Sequence, residues 1–125
     1  MSRLTSRISI TYMSGPLDGK TLNWDRPTAD NTLQLTIGRR EGCDISLNYD
    51  SQVSRLHARV VYEAALRTFY LEDMGSRNGT YLRGSRLEGR TSLRPGELFR
   101  IGRTWLRVDP ARSTPEEADE DNTQF

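Results

Sequence analysis

The residues of this chain that could take part in chemistry are concentrated in three short polar stretches. They read IGR at 37–39, SRLH at 54–57 and SRNGT at 76–80. An arginine guanidinium can meet a phosphate or a carboxylate with two parallel hydrogen bonds, and hydroxyl and amide side chains add short polar contacts. Together these residue types indicate an anion-binding site, although any one stretch alone is equally typical of a turn flanked by solvated arginines.

One serine and the histidine are of the types that take part in nucleophilic catalysis. Ser54 and His57 could form a nucleophile–base pair, with Asp73 as the acid that orients the histidine. The sequence has neither the G-x-S-x-G turn that exposes a nucleophilic serine nor a recognisable oxyanion-hole motif. It also lacks the G-x-x-x-x-G-K-[ST] phosphate loop and the H-E-x-x-H metal motif. We therefore expect a protein that is not an enzyme and holds no cofactor.

Metal and disulfide chemistry are limited by the count of ligating residues. The chain contains one cysteine, Cys43, and one histidine, His57. An intramolecular disulfide is therefore excluded, and so is a zinc site built from these two residue types within one chain. A lone histidine at the start of an apolar strand is usually a structural residue with satisfied hydrogen bonds.

The segments around the polar stretches predict β-strands, because apolar and polar residues alternate with a period of two. In RISITYM, for example, Ile8, Ile10 and Tyr12 fall on one face. Clusters of Gly, Pro, Asp and Asn separate the segments, and no stretch has a long apolar 3.6-residue period. We predict an all-β sandwich or barrel of about eleven strands: Arg7–Met13, Lys20–Trp24, Leu33–Ile37, Ile45–Leu47, His57–Tyr62, Thr68–Asp73, Thr80–Leu82, a short piece near Arg86-Leu87, Thr91–Leu93, Glu97–Ile101 and Thr104–Val108.

The dipeptide Asn78-Gly79 is the strongest hairpin signal in the chain. A type I′ turn requires positive φ at both of its central residues, and Asn-Gly is the favoured pair for that conformation. The sequence therefore predicts a tight turn between the strands at 68–73 and 80–82. Such a turn would carry Arg77 and Asn78 on an exposed loop.

Charge is unevenly distributed along the 125 residues. Residues 111–125 contain one base and five acids and so carry −4, which leaves +5 for residues 1–110 because the whole chain carries +1. Of the 18 basic residues only Lys20 is a lysine, a bias that phosphate binding or a G+C-rich coding sequence would equally explain. We predict a folded domain over 1–110 and an acidic disordered tail or linker over 111–125. The sequence shows no long apolar run and no apolar leader, and we expect a cytoplasmic protein without membrane contacts.

In their order and spacing, the three polar stretches resemble those of the forkhead-associated (FHA) domain. The resemblance extends to their flanks, which read CDISL at 43–47, LED-x-GSRNGTYL-x-G at 71–84 and L-x-PGELFRIG at 93–102. It covers roughly residues 7 to 109, nearly the whole predicted domain. The resemblance implies a β-sandwich of two antiparallel sheets with ligand loops at one end. It also implies that the chain binds phosphothreonine in an extended peptide, on a partner marked by a Ser/Thr kinase.

The resemblance implies a role for each matching residue. Four residues are expected to bind the phosphate, with the backbone N–H of the last one making the contact: Arg39, Ser54, Arg55 and Arg77. Four residues are expected to contact the rest of the peptide: Asn78, Gln52, Arg40 and Arg83. Three residues are expected to shape the site without touching the ligand: Gly38, His57 and Gly79. Asp73 and Ser76 are expected to brace the loop.

Two other functions remain open from the sequence. The first is a structural sandwich that docks proteins without phosphate. The second is nucleic-acid binding by a basic β-domain, which requires a basic stripe interleaved with exposed aromatic rings. The strand pattern instead assigns most of the aromatic residues in question to the core: Trp24, Phe69, Tyr70, Phe99 and Trp105. We therefore expect a phosphothreonine-containing protein as the partner, no nucleic acid, and a monomer.

Overall fold

The computed structural model describes residues 7–109 of the chain. Within this range it forms eleven strands and no helix, so the all-β prediction is confirmed. Each predicted strand is present, with boundaries within one residue of those expected. The predicted tail at 111–125 lies outside the described residues. The strands are β1 (Arg7–Tyr12), β2 (Thr21–Asp25), β3 (Thr32–Gly38), β4 (Ile45–Ser46), β5 (Ala58–Glu63), β6 (Thr68–Asp73), β7 (Thr80–Leu82), β8 (Ser85–Arg86), β9 (Thr91–Leu93), β10 (Leu98–Ile101) and β11 (Thr104–Asp109).

The strands form two sheets that pack against each other as a sandwich. The six-stranded sheet has the order β2-β1-β11-β10-β7-β8, and the five-stranded sheet has the order β4-β3-β5-β6-β9. The pairings are antiparallel, as expected, except between β3 and β4, which run parallel with Ile37 opposite Ile45. Because residues 39–44 alone separate these two strands, that short connection folds back along the end of β3.

The hydrophobic core lies between the sheets and follows from the period-two alternation. Burying one large aliphatic or aromatic side chain contributes about 1.5–3 kcal/mol, and a slip of one residue would turn a strand's apolar set to solvent. The alternation therefore fixes the pairing register as well as the face that is buried. At most 2% of each of these side chains is exposed: Ile8, Ile10, Phe99, Leu106 and Val108 from the larger sheet, and Leu35, Ile37, Val60 and Leu71 from the smaller one.

The aromatic residues follow the expected distribution with one exception. Phe69 and Phe99 are buried, Trp24 is partly buried against the core, and Tyr70 is partly exposed. Trp105 is 41% exposed. Its neighbours in β11 point into the core, so the pleat turns the indole outward.

Three connections meet at one end of the sandwich, which we call the loop end: 39–44, 47–57 and 74–79. Backbone hydrogen bonds hold the first two together, from the Arg39 N–H to the Ser54 carbonyl at 2.9 Å and from the Arg40 N–H to the Arg55 carbonyl at 3.1 Å. The third is attached by the Met74 N–H, which donates to the His57 carbonyl at 2.8 Å. The rigid strands thus bring the three polar stretches of the sequence to one place.

The prediction of a hairpin turn at Asn78-Gly79 is wrong. The strands on either side, β6 and β7, belong to different sheets, and of the two residues only Gly79 has a positive φ, of 86°. The type I′ turn is formed instead by Arg83-Gly84 between β7 and β8, where both φ angles are positive, at 53° and 78°. Asn78-Gly79 therefore belongs to a connection that crosses between the sheets.

Residues 7–109 contain no helix that is long and apolar enough to cross a membrane. The same residues contain no group of three or more His, Cys, Asp or Glu side chains that could hold a metal ion.

Candidate functional site

The connection 74–79 is shaped by one carboxylate, Asp73, at the end of β6. Its Oδ1 accepts hydrogen bonds from the hydroxyls of Ser76 at 2.5 Å and Thr80 at 2.7 Å. Its Oδ2 accepts from the N–H groups of Gly75 at 3.0 Å and Ser76 at 2.9 Å. Burial acts to raise the pKa of Asp73, but the hydrogen bonds from Ser76 and Thr80 outweigh it and hold that pKa below its ordinary value. The loop follows these four hydrogen bonds rather than the geometry of a hairpin.

His57 links two of the three connections and is fully buried. Its Nδ1 accepts a hydrogen bond from the Ser54 N–H at 3.0 Å. Because a backbone N–H can only donate, the ring proton belongs on Nε2, which donates to the Gly79 carbonyl at 2.9 Å. The nucleophile–base arrangement considered from the sequence is not formed, since His57 contacts the backbone of Ser54 and the carboxylate of Asp73 is occupied by its own loop.

The hydroxyl of Ser54 lies where the connections 47–57 and 74–79 meet. Its Oγ accepts a hydrogen bond from the Arg77 N–H at 3.0 Å. Since the oxygen acts as the acceptor in that bond, its own proton is left to donate to another group. The Arg77 N–H, which the resemblance assigned to the phosphate, is bonded to Ser54 in this structure.

Arg39 is exposed, and its guanidinium is oriented by the protein. The Nε donates to the Val53 carbonyl at 2.9 Å, and among the described residues the two terminal nitrogens have no further partner. The backbone below it depends on Gly38, because a Cβ there would overlap the Arg55 carbonyl and approach the Cys43 Sγ to 3.0 Å. Only glycine allows the connections 39–44 and 47–57 to come this close.

Asn78 is exposed at the tip of the loop end. Its Nδ2 donates to the Gln52 carbonyl at 2.8 Å. The side chain keeps a second N–H and the Oδ1 acceptor, which together match one N–H and one C=O of an extended peptide. Gln52 is partly buried beside it, and its own N–H is bonded to the Asp50 carboxylate at 3.0 Å.

The loop end carries positive charge that the protein does not neutralise. Four exposed arginines lie there with no acidic partner within salt-bridge distance in residues 7–109: Arg39, Arg40, Arg55 and Arg77. Asp50, Asp73 and Asp44 are used in hydrogen bonds within the fold, and Glu41 is exposed but pairs with none of these arginines. An uncompensated cluster of this kind attracts an anion and favours one that offers several acceptor oxygens.

The structure does not bring Arg83 to the loop end. It lies in the β7–β8 turn, beyond the end of β7 that is remote from Gly79. Its guanidinium pairs with the Glu97 carboxylate at 2.5 Å. Because Arg83 directly follows the strand Thr80–Leu82 and Gly79 directly precedes it, the two residues lie at opposite ends of that strand.

The sequence analysis missed one residue that supports the loop end, Asp50. It is 5% exposed and accepts hydrogen bonds from the Gln52 N–H at 3.0 Å, the Arg103 N–H at 2.8 Å and the Thr104 hydroxyl at 2.7 Å. The connection 47–57 is thereby fixed to the turn between β10 and β11. The contacts with Arg103 and Thr104 join residues more than fifty positions apart, and no local pattern predicts them.

One protein-family model matches this chain over both the strands and the three polar stretches. The model of the FHA domain matches residues 35–102, which include all three polar stretches. The chain belongs to the FHA family. FHA domains are protein-interaction modules rather than enzymes.

Two relatives are similar to this chain over more than half of its length. Kanadaptin from Homo sapiens is 34% identical over 102 residues, covering 73% of this chain and 14% of kanadaptin. The FHA domain-containing protein FhaB from Mycobacterium tuberculosis is 33% identical over 76 residues, covering 61% of this chain and 47% of FhaB. The chain thus spans less than half the length of these relatives.

Solved structures of FHA domains share the fold. The N-terminal FHA domain of Rad53p from S. cerevisiae, solved in complex with a phosphothreonine peptide, superposes with a TM-score of 0.70 at 19% identity. The superposition covers 83% of this chain and 93% of that one. At this level of identity the likeness concerns the fold.

Proposed function

We propose that this domain binds phosphothreonine in a partner protein that a Ser/Thr kinase has phosphorylated. Membership of the FHA family supports the proposal, and so does the Rad53p domain of the same fold, which was solved with a phosphothreonine peptide. The proposal includes an adaptor role in kinase signalling, carried out in the cytoplasm by a monomer.

The observation that carries the proposal is the arrangement around Ser54. The hydroxyl accepts from the Arg77 N–H and keeps its own proton, while Arg39 is oriented by its bond to the Val53 carbonyl. A phosphothreonine brings a charge of about −1.5 to −2 and three strong acceptor oxygens. One hydroxyl donor beside an oriented guanidinium, with Arg55 nearby, suits that group better than it suits a neutral ligand.

We assign each remaining residue of the loop end a contact either with the phosphate or with the rest of the peptide. Arg55 and the Arg77 backbone are proposed as further phosphate contacts, the latter if a bound phosphate takes over the N–H that Ser54 accepts. The amide of Asn78 is proposed to bond the peptide main chain. Gln52 and Arg40 are proposed to contact neighbouring residues of the peptide. Arg83 is left out because its guanidinium is paired with Glu97 at the other end of β7.

A titration with three ligands tests the proposal. The full chain is titrated by calorimetry with a phosphothreonine peptide, with the same peptide unphosphorylated, and with a single-stranded DNA oligonucleotide. Hydrogen bonds to a charged group contribute roughly 1.5–3 kcal/mol each, so we expect the phosphate to tighten binding by at least about a hundredfold. Equal binding of both peptides would indicate docking without phosphate, and preferential binding of the DNA would indicate a nucleic-acid module; either result would overturn the proposal.

A further inference from the structure

Four side chains form a row across the outer face of the six-stranded sheet. The strand register places Trp105 opposite Arg100, Arg100 opposite Tyr81, and Tyr81 opposite Arg86. Because neighbouring strands are about 4.8 Å apart, the row is about 14 Å long. We call these four residues the Arg–aromatic row. It alternates a ring and a guanidinium over β11, β10, β7 and β8.

The row is accessible to a partner. Trp105 is 41% exposed, Arg86 is exposed, and Tyr81 and Arg100 are partly exposed. The Arg100 guanidinium lies 4.3 Å from the centroid of the Tyr81 ring, and its Nη1 donates to the Gly102 carbonyl at 2.7 Å. The row is thus held in place by the protein, yet it leaves the Trp105 ring and the Arg86 guanidinium facing outward, with Arg100 partly exposed.

The other sheet offers an internal comparison. There Arg90 also lies over a tyrosine ring, 4.8 Å from the centroid of Tyr70. Arg90, however, pairs with the carboxylates of Glu63 at 2.8 Å and Glu72 at 2.5 Å. No acidic residue among 7–109 lies within salt-bridge distance of Arg86 or Arg100. The same Arg-over-Tyr pair is therefore neutralised on one face and left charged on the other.

The Arg–aromatic row is continuous with the loop end. Arg86 packs directly on Gly79, so that a Cβ at Gly79 would lie 2.6 Å from the Arg86 Nε and 3.0 Å from its Cζ. Gly79 follows Asn78, the residue whose amide is proposed to bond the peptide main chain. A ligand that extends past Asn78 toward β8 would meet Arg86 next.

We propose that the Arg–aromatic row is a second docking surface, which binds an acidic stretch next to the phosphothreonine of the same partner protein. This inference rests on the function proposed above. Carboxylates or a second phosphate of the partner would pair with Arg86, and the extended chain would pass over the rings of Tyr81 and Trp105. The surface would add affinity and select among phosphorylated partners without contacting the phosphothreonine itself.

A single strand of nucleic acid could also stack on rings beside arginines. Two observations favour the peptide. The row ends at the peptide-binding loop, through the packing of Arg86 on Gly79. In addition, Arg100 is stacked on Tyr81 and bonded to the Gly102 carbonyl, which leaves Arg86 as the freely exposed cation of the row. One free cation suits a short acidic segment better than a continuous phosphate backbone.

The test compares phosphothreonine peptides that differ in their flanks. One peptide has uncharged flanks; others carry four glutamates, or one phosphoserine, on either the N-terminal or the C-terminal side. Each is titrated into the full chain as wild type, Arg86→Gln and Arg94→Gln. Arg94 is a matched control, an exposed arginine in the connection 94–97, which is bonded to Val108 at the end of the sandwich opposite the loop end. Thermal melts of each variant check that folding is unchanged.

We expect an anionic flank on one side to tighten binding of wild type and of Arg94→Gln by about three- to tenfold at moderate salt. Arg86→Gln should lose most of that gain while binding the uncharged peptide within twofold of wild type. A difference between the glutamate and phosphoserine peptides would show which anion the row prefers.

Three results would overturn the proposal. The first is binding of the uncharged phosphopeptide with no gain from either flank, which would leave the proposed phosphothreonine site intact. The second is a gain that survives in Arg86→Gln. The third is binding of single-stranded DNA that is tighter than that of the acidic peptide and is lost in Arg86→Gln. Failure of the uncharged phosphopeptide to bind at all would overturn the function proposed above as well.

Discussion

At the scale of single residues, side chains at the loop end carry hydrogen-bond donors that have no partner among the described residues. Ser54 shows this most clearly, because its oxygen is engaged by the Arg77 N–H while its proton is not. Arg39 shows the same division, with Nε bonded to the Val53 carbonyl and the terminal nitrogens left over. A side chain that is oriented by one hydrogen bond and keeps another for a ligand loses little entropy on binding.

Removal of the Ser54 hydroxyl gives the first prediction. Ser54→Ala should weaken binding of a phosphothreonine peptide by about tenfold, near the lower end of the range of about 1.5–3 kcal/mol for a hydrogen bond to a charged group, because the hydroxyl donor itself is neutral. The freed Arg77 N–H is exposed to water, so the melting temperature should change little. Calorimetric titration and a thermal melt of the same sample measure both quantities. Unchanged affinity would remove Ser54 from the proposed site.

At the scale of elements, polar side chains with little or no exposure hold the connections 47–57 and 74–79 in place. His57 bridges the Ser54 N–H and the Gly79 carbonyl, Asp73 holds four donors of its own loop, and Asp50 fixes the turn at Arg103. Loss of a buried partner leaves the opposite group unpaired, which costs more than the hydrogen bond contributed.

The bridge formed by His57 gives the second prediction. His57→Ala should lower the free energy of unfolding by about 1–3 kcal/mol, because it leaves a buried carbonyl and a partly buried N–H without partners. Denaturant unfolding followed by tryptophan fluorescence measures this quantity. Phosphopeptide binding should fall only to the extent that the loops lose their positions. Full stability combined with a selective loss of binding would instead make His57 a direct ligand contact.

The brace formed by Asp73 gives the third prediction, which concerns pH. The folded-state pKa of Asp73 lies below its ordinary value of 3.8, so its ionised form stabilises the fold fully above that value. The stabilisation is lost as the pH falls through the lower, folded-state pKa. In Asp73→Asn the side-chain N–H₂ would face an N–H or hydroxyl group that is itself a donor, so one hydrogen bond could not form. At neutral pH we therefore expect the free energy of unfolding to fall by about 1–2 kcal/mol.

The pH dependence distinguishes stabilisation by the ionised Asp73 carboxylate from a purely steric effect of the substitution. Unfolding of wild type and Asp73→Asn should be compared at neutral pH and at a series of values below about pH 4. The difference in stability should shrink as the acid titrates. A difference that stays constant down to the lowest pH at which both proteins fold would contradict the assigned ionic role.

At the scale of the whole molecule, the strands could be predicted from sequence because their signals are local. Alternation such as that of Ile8, Ile10 and Tyr12 fixes both the strand and the face it buries. The prediction of a hairpin at Asn78-Gly79 was wrong because hydrogen bonds to the Asp73 carboxylate, and one from the distant His57 to the Gly79 carbonyl, determine that loop.

The candidate site could be predicted in part, because its three polar stretches are also local signals. The three polar stretches could be read in the sequence, but only the three-dimensional structure shows which guanidinium groups the fold leaves without an acidic partner. Arg83 is neutralised by Glu97, whereas Arg39 is not neutralised by any described residue. The exposed row that includes Trp105 depends on the order of strands in a sheet, which period-two patterns do not specify.

The most direct measurement is the affinity of Arg39→Ala and of Arg94→Ala for one phosphothreonine peptide, determined by calorimetry beside wild type. Both variants remove one exposed arginine, from the loop end and from the opposite end of the sandwich respectively. A charge-assisted hydrogen bond contributes roughly 1.5–3 kcal/mol, so Arg39→Ala should bind about ten- to a hundredfold more weakly, or worse, with an unchanged melting temperature. Arg94→Ala should bind within twofold of wild type. If Arg39→Ala also binds within twofold of wild type, the phosphate is not bound at the loop end.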